Sequence, residues 1–106
     1  MHDDDQYLQM VKKIVLDTID INSYAVFLFG SRARLKHASS ADFDVGVLGH
    51  QPLPDEVIFD IKEKIDSSIV PYGVDVVDFY RADTKFKSIA LKDIQIWNLP
   101  NSISLV

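Results

Sequence analysis

The chain has 106 residues, 47% of them hydrophobic and 25% charged, with a formal net charge of −5. This is the balance of one ordinary globular domain, residues 1–106, with a single modest core. No apolar run approaches the ~20 residues of a membrane span, the acidic start MHDDDQY is not that of a signal peptide, and the net acidity argues against direct nucleic-acid binding. With no cysteine there is no disulfide framework, thiol nucleophile or cysteine-based zinc site, and a cytoplasmic setting is expected.

Taken in chain order, residues 5–19 read as a helix. Leu8, Val11, Ile14, Val15 and Ile19 recur at helical spacing, and Asp3 to Asp5 offer N-terminal caps and dipole-favoured charge. Asn22 and Ser23 mark a turn. The run YAVFLF, residues 24–29, is too short for a helix and ends at Gly30, so it reads as a strand buried on both faces. Residues 30–41 are polar, with room for a helical turn beginning at Arg32. Residues 42–48, DFDVGVL, read as a second strand. Its period of two puts Asp42, Asp44 and Gly46 on one face and Phe43, Val45 and Val47 on the other.

A second amphipathic helix is expected over 55–69, with Val57, Ile58, Ile61, Ile65 and Ile69 inward. A third strand follows over 74–79, VDVVDF. Asp83 caps a third helix from Thr84 to about Leu91, with Phe86, Ile89 and Ala90 inward, and 94–97 can form a short last strand. The order α-β-β-α-β-α implies an α/β (α+β) layered fold with a mixed sheet of three or four strands. The relative direction of the first two strands is left open.

Chemistry concentrates between Phe29 and Val47. A buried strand ends in Gly30-Ser31, and ten residues later Asp42-Phe43-Asp44 heads another strand. Gly30 lets backbone approach a phosphate closely, and Ser31 adds a hydroxyl and an N–H. A helix starting at Arg32 would favour an anion there. Asp42 and Asp44 point the same way, and two hard carboxylates on one face suit Mg²⁺. Aspartate is disfavoured in strands, so two at the head of a good strand need a reason. Asp75, second in a valine-rich strand, is a third candidate. Asp78 lies on the opposite face, near the strand end, where it is expected to find solvent. Arg32, Arg34 and Lys36 make a local basic loop in an acidic chain, suited to a small polyphosphate. His2, His37 and His50 lack metal-ligand spacing, and Trp97 reads as core or interface.

Gly-Ser, ten residues, Asp-x-Asp and a later aspartate on a hydrophobic strand resemble the DNA polymerase β-like nucleotidyltransferase superfamily. The length and the GSRAR start look most like its minimal nucleotidyltransferases (MNT), the small partners of HEPN-domain proteins in prokaryotic toxin–antitoxin modules. The resemblance implies a minimal nucleotidyltransferase fold and a transfer of AMP from ATP to a protein hydroxyl with two Mg²⁺ ions. On that reading Asp42, Asp44 and Asp75 hold the metal ions, and Gly30 and Ser31 hold the triphosphate. Arg32 and Arg34 would neutralise triphosphate charge. One ion would bridge triphosphate oxygens and the other would activate the attacking hydroxyl; Asp75 would accept its proton. The implied partner is a HEPN-domain toxin, with a homodimer or hetero-oligomer both open. Leu35 and Ala41 depart from the family's usual Gly and Ser, and Gly46 replaces a branched residue, which suits close passage of a ligand or backbone. Two other readings compete: an antitoxin that neutralises its partner by binding alone, and a nucleotidyltransferase for small molecules that borrows an acceptor site from a partner subunit.

Overall fold

The computed structural model describes residues 3–33 and 42–105. Its elements are α1 (Asp3–Thr18), β1 (Tyr24–Phe29), β2 (Phe43–Gly49), α2 (Asp55–Asp66), β3 (Val74–Asp78), α3 (Thr84–Ala90) and β4 (Gln95–Asn98). The order expected from the sequence holds, and the short last strand forms. The four strands lie in the order β3-β2-β1-β4. β1 runs antiparallel to both β2 and β4, while β2 and β3 are parallel and joined through α2. Among the described residues no helix is long and apolar enough to cross a membrane.

Hydrophobic periodicity explains the layering. Val11, Val15 and Ile19, each four apart, bury one stripe of the first helix and its end. They meet Ile61 and Ile65 of α2 over Val26 and Leu28 of β1 and Phe43, Val45 and Val47 of β2. The opposite sheet face carries a smaller aromatic cluster of Phe27, Phe29 and Phe79. Phe79 stands edge-on to both others, with ring centroids 4.9 Å and 5.2 Å away. Such pairs contribute about 0.5–1.5 kcal/mol beyond their buried area. Gly46 lies beneath them. A Cβ there would run into the Phe27 ring and approach Phe79 Cε1 to 2.8 Å. The close passage expected at Gly46 is therefore made by the protein's own aromatic core.

Several details differ from the sequence reading. α1 begins at Asp3, so the aspartates form its first turn and do not precede it. α2 stops at Asp66, where Ser68 Oγ donates to the Ile65 carbonyl at 2.6 Å and closes the end; Ile69 lies beyond it and is exposed. α3 buries none of its residues, and Phe86 and Ile89 stand open to solvent. Asp78 does not find solvent. Its side chain is only 7% exposed, with Oδ2 accepting from Leu53 N at 3.0 Å and Oδ1 from Tyr80 N at 3.1 Å. Arg81 adds an ion pair at 3.4 Å. Asp78 thus pins the loop before α2 to the end of β3.

Candidate active site

The parallel pairing of β2 and β3 sets Asp44 directly opposite Asp75. Like charges facing each other across a ladder are destabilising, so this pairing calls for a compensating cation. Both residues share the sheet face of Gly46 and Val77, two positions along their strands. Asp42, two residues before Asp44, is exposed at the mouth of the same face. Its carboxylate rests against Gly73, where an added Cβ would lie 2.9 Å from Oδ1. Phe43 N donates to the Gly73 carbonyl at 2.9 Å, which ties the two strand starts together. Asp75 is exposed and Asp44 half-buried.

The electrostatics follow from this geometry. Burial, reinforced by the Asp75 and Asp42 carboxylates, pushes the Asp44 carboxyl above its ordinary value. A counterion beside Asp44 would relieve that penalty. The turn after β1 closes the site from the other side. Gly30 has φ of +77°, the left-handed region. A Cβ at Gly30 would fall on Asp44 Oδ2 and lie 3.1 Å from its Cγ. Backbone and carboxylate are thus brought together as only glycine permits, and the two halves of the motif meet in space.

Ser31 follows in a turn over 31–33 and is half-buried. A helical turn starting at Arg32 would run into residues 34–41, outside the described residues. Arg32 itself is 5% exposed, with its guanidinium 4.1 Å from the centroid of the Phe43 ring and 4.6 Å from that of Tyr72. Phe43 and Tyr72 belong to the helix-side core, so the guanidinium points away from the carboxylate face. Its stacking on these two rings holds the turn against β2. Arg34, together with Lys36, Leu35, Ala41, His37 and His2, lies outside the described residues. His50 is exposed, with Nε2 2.8 Å from the Ser102 carbonyl. Trp97 packs partly buried against the main core.

Three or more acidic or histidine side chains are nowhere drawn into a formed metal cage among the described residues. The donor chemistry nevertheless fits a divalent cation. Hard carboxylates face one another across the ladder, Asp44 is destabilised as an anion by burial and by its neighbours, and the glycine turn sets backbone against it. The tyrosine that stacks on Arg32 was not singled out in the sequence, and Gly73, which makes room for Asp42, reads there only as the close of the second helix.

Residues 9–99 match the family described as polymerase beta, nucleotidyltransferase. A probable protein adenylyltransferase MntA of Haemophilus influenzae is 29% identical over 85 residues, 80% of this chain and 73% of that protein. Among solved structures, a toxin–antitoxin complex with AMP-PNP superposes with a TM-score of 0.70 at 21% identity, covering 89% of this chain and 74% of the other. A complex of tri-AMPylated Shewanella oneidensis HEPN toxin with MNT antitoxin gives a TM-score of 0.61 at 21% identity, covering 89% and 73%. These structural likenesses establish the fold.

Proposed function

The chain belongs to the polymerase beta nucleotidyltransferase family, and from that premise we propose that it is a Mg²⁺-dependent protein adenylyltransferase, the antitoxin of a HEPN-domain toxin. It transfers AMP from ATP to a hydroxyl side chain of that partner, in the cytoplasm. The observation that carries this reading is the Asp44–Asp75 pair across the β2–β3 ladder, with Gly30 in contact with Asp44. The relatives named above support the nucleotide and the acceptor class.

Asp42, Asp44 and Asp75 would hold Mg²⁺, which when bound offsets triphosphate charge and makes an attacking hydroxyl more acidic. The Gly30–Ser31 turn presents backbone and a hydroxyl to the triphosphate, while the room a Gly30 Cβ would take is filled by the Asp44 carboxylate. Asp75 is exposed on β3, an edge strand of the sheet, so an acceptor hydroxyl can reach it from outside. There it accepts the hydroxyl proton as the new phosphoester bond forms and pyrophosphate leaves. Arg32 positions the turn through its stacking on Phe43 and Tyr72.

The test is incubation with the proposed HEPN-domain partner, Mg²⁺ and ATP, followed by intact-mass analysis. One or more AMP additions on the partner are expected, absent with Asp42→Ala or Asp44→Ala. An unmodified partner that is still neutralised by Asp44→Ala would replace catalysis with masking by binding.

A further inference from the structure

The sheet has two edges, and they differ in charge. β3 carries Asp75 and Asp78, and a copy of the chain laid along it would crowd carboxylates from both molecules. β4, at the other edge, carries no charge. From Ile94 to Val106 the chain has no charged side chain, although 25% of all its residues are charged. Edge strands are usually guarded by lysine, proline or inward-pointing charge, and IQIWN has none of these. Its one guard is a bulge at Trp97, where the register against β1 shifts. Among the described residues only β1 pairs with the backbone of β4. Ile96 sits opposite Phe27, so it lies on the sheet face of the aromatic cluster, and it is 51% exposed. Leu99 and Ile21, both 46% exposed, extend this apolar surface past the strand end. Asn98 holds the two segments together, its Nδ2 donating to the Ile21 carbonyl at 2.8 Å and to that of Tyr24 at 2.9 Å.

We propose that β4 is a self-association edge, on which a second copy of this chain docks antiparallel to give a two-fold dimer with one continuous sheet. An open backbone edge is completed by another strand, and charge selects the copy. Each chain carries a net charge of −5, so two copies repel unless the surfaces that meet are neutral. β4 is the edge that meets this condition. A neutral edge also offers a basic partner no attraction that the acidic remainder of the surface does not offer better. A two-fold axis perpendicular to the sheet preserves its faces and sets like-faced residues opposite one another. Centred on Ile96, it places Ile96 against Ile96 of the second copy and Gln95 against Trp97. Lys92 and Asp93 then approach Pro100 and Leu99 of the copy and not their own counterparts, so no like charges meet. The bulge keeps the ladder short, and the dimer belongs to the weak class that buries less than about 1,200 Å². Both β3 strands lie at the outer ends of such a sheet, so the dimer leaves both carboxylate faces open.

Sedimentation velocity over a concentration series from micromolar to millimolar reads the association directly. The wild-type chain should pass reversibly from monomer to dimer. Ile96→Lys sets two ammonium groups face to face at an exposed position. It should weaken the dimer about tenfold or more, with the melting temperature of the dilute monomer unchanged. The chain has no cysteine, so Ile96→Cys introduces a single thiol. Directly opposed residues carry Cβ atoms about 4.5–5.5 Å apart, close to disulfide reach, and mild oxidation should give a cross-linked dimer. Phe86→Cys, on the exposed side of α3, should stay monomeric under the same oxidation. A wild-type chain that is monomeric throughout the series would overturn the proposal. So would a dimer that survives Ile96→Lys, or one that cross-links equally through Phe86→Cys, which would move the contact to α3.

Discussion

Replacing Gly30 by alanine tests the contact on which the site depends. Two effects add. The residue sits at φ of +77°, and left-handed backbone disfavours an L side chain by about 1–2 kcal/mol. The new methyl would also fall on Asp44 Oδ2, 3.1 Å from Cγ and 3.3 Å from Cβ of the same side chain. Overpacking costs about 1–3 kcal/mol, and a half-buried carboxylate that can swing outward takes the lower end of that range. The sum is about 2–4 kcal/mol, which for a domain of this size lowers the melting temperature by roughly 10–20 °C. Relief by swinging moves Asp44 off its position opposite Asp75, so the stabilisation by Mg²⁺-ATP should vanish as well. Asn tolerates left-handed backbone better than Ala, but its Cβ meets the same carboxylate. Gly30→Asn should therefore melt a few degrees above Gly30→Ala and still show no Mg²⁺-ATP shift. Thermal scans with and without millimolar Mg²⁺-ATP read both effects. A Gly30→Ala protein that melts with the wild type and keeps its nucleotide shift would refute the contact.

Asp44→Asn should make the metal-free protein more stable at neutral pH. The Asp44 carboxyl is raised in the fold, so its protonated form favours folding, and that contribution is lost as pH rises through the carboxylate range. Denaturant titrations from pH 4 to 7 should show the wild type losing ground to the variant as pH rises; parallel profiles would contradict this. Asp78→Asn keeps one acceptor oxygen for two backbone donors, Leu53 N and Tyr80 N. It should cost about 1–3 kcal/mol by chemical denaturation while AMP transfer survives; a stability equal to wild type would show that Asp78 does not hold the loop. Arg32→Met removes the guanidinium from the Phe43 and Tyr72 rings and should lower stability by about 0.5–2 kcal/mol. Tripolyphosphate affinity should change less than with Asp44→Ala, and the opposite ranking would return Arg32 to the triphosphate.

Much of this was legible in the sequence because it is local. YAVFLF ends at a glycine and can only be a short buried strand, and DFDVGV alternates strictly, which set the Asp42–Asp44 face; VDVVD separates Asp75 from Asp78, but the β2–β3 register is what sets Asp75 opposite Asp44. What escaped depends on partners far along the chain. Arg32 stands in a basic run and looks like a phosphate ligand, yet Phe43 and Tyr72 come to it from β2 and the approach to β3. Asp78 ends a strand and looks solvated, but one of its oxygens accepts from a loop 25 residues earlier and the other from Tyr80 N. Phe86 and Ile89 have the spacing of a core-facing helix. Only the tertiary structure reveals that α3 leaves them uncovered, since a pattern of apolar residues does not say what they meet. The contact between Gly30 and Asp44 likewise joins two motif halves whose spacing was visible and whose approach was not.

We propose that Asp44, Asp75 and the Gly30 turn form one metal–nucleotide site on one sheet face. Crystals grown with Mn²⁺ and AMP-PNP test it most directly, through anomalous difference density at the manganese edge. A peak coordinated by the Asp44 and Asp75 carboxylates is expected, with nucleotide phosphates against Gly30 and Ser31. Nucleotide bound elsewhere, or manganese held away from both carboxylates, would contradict it.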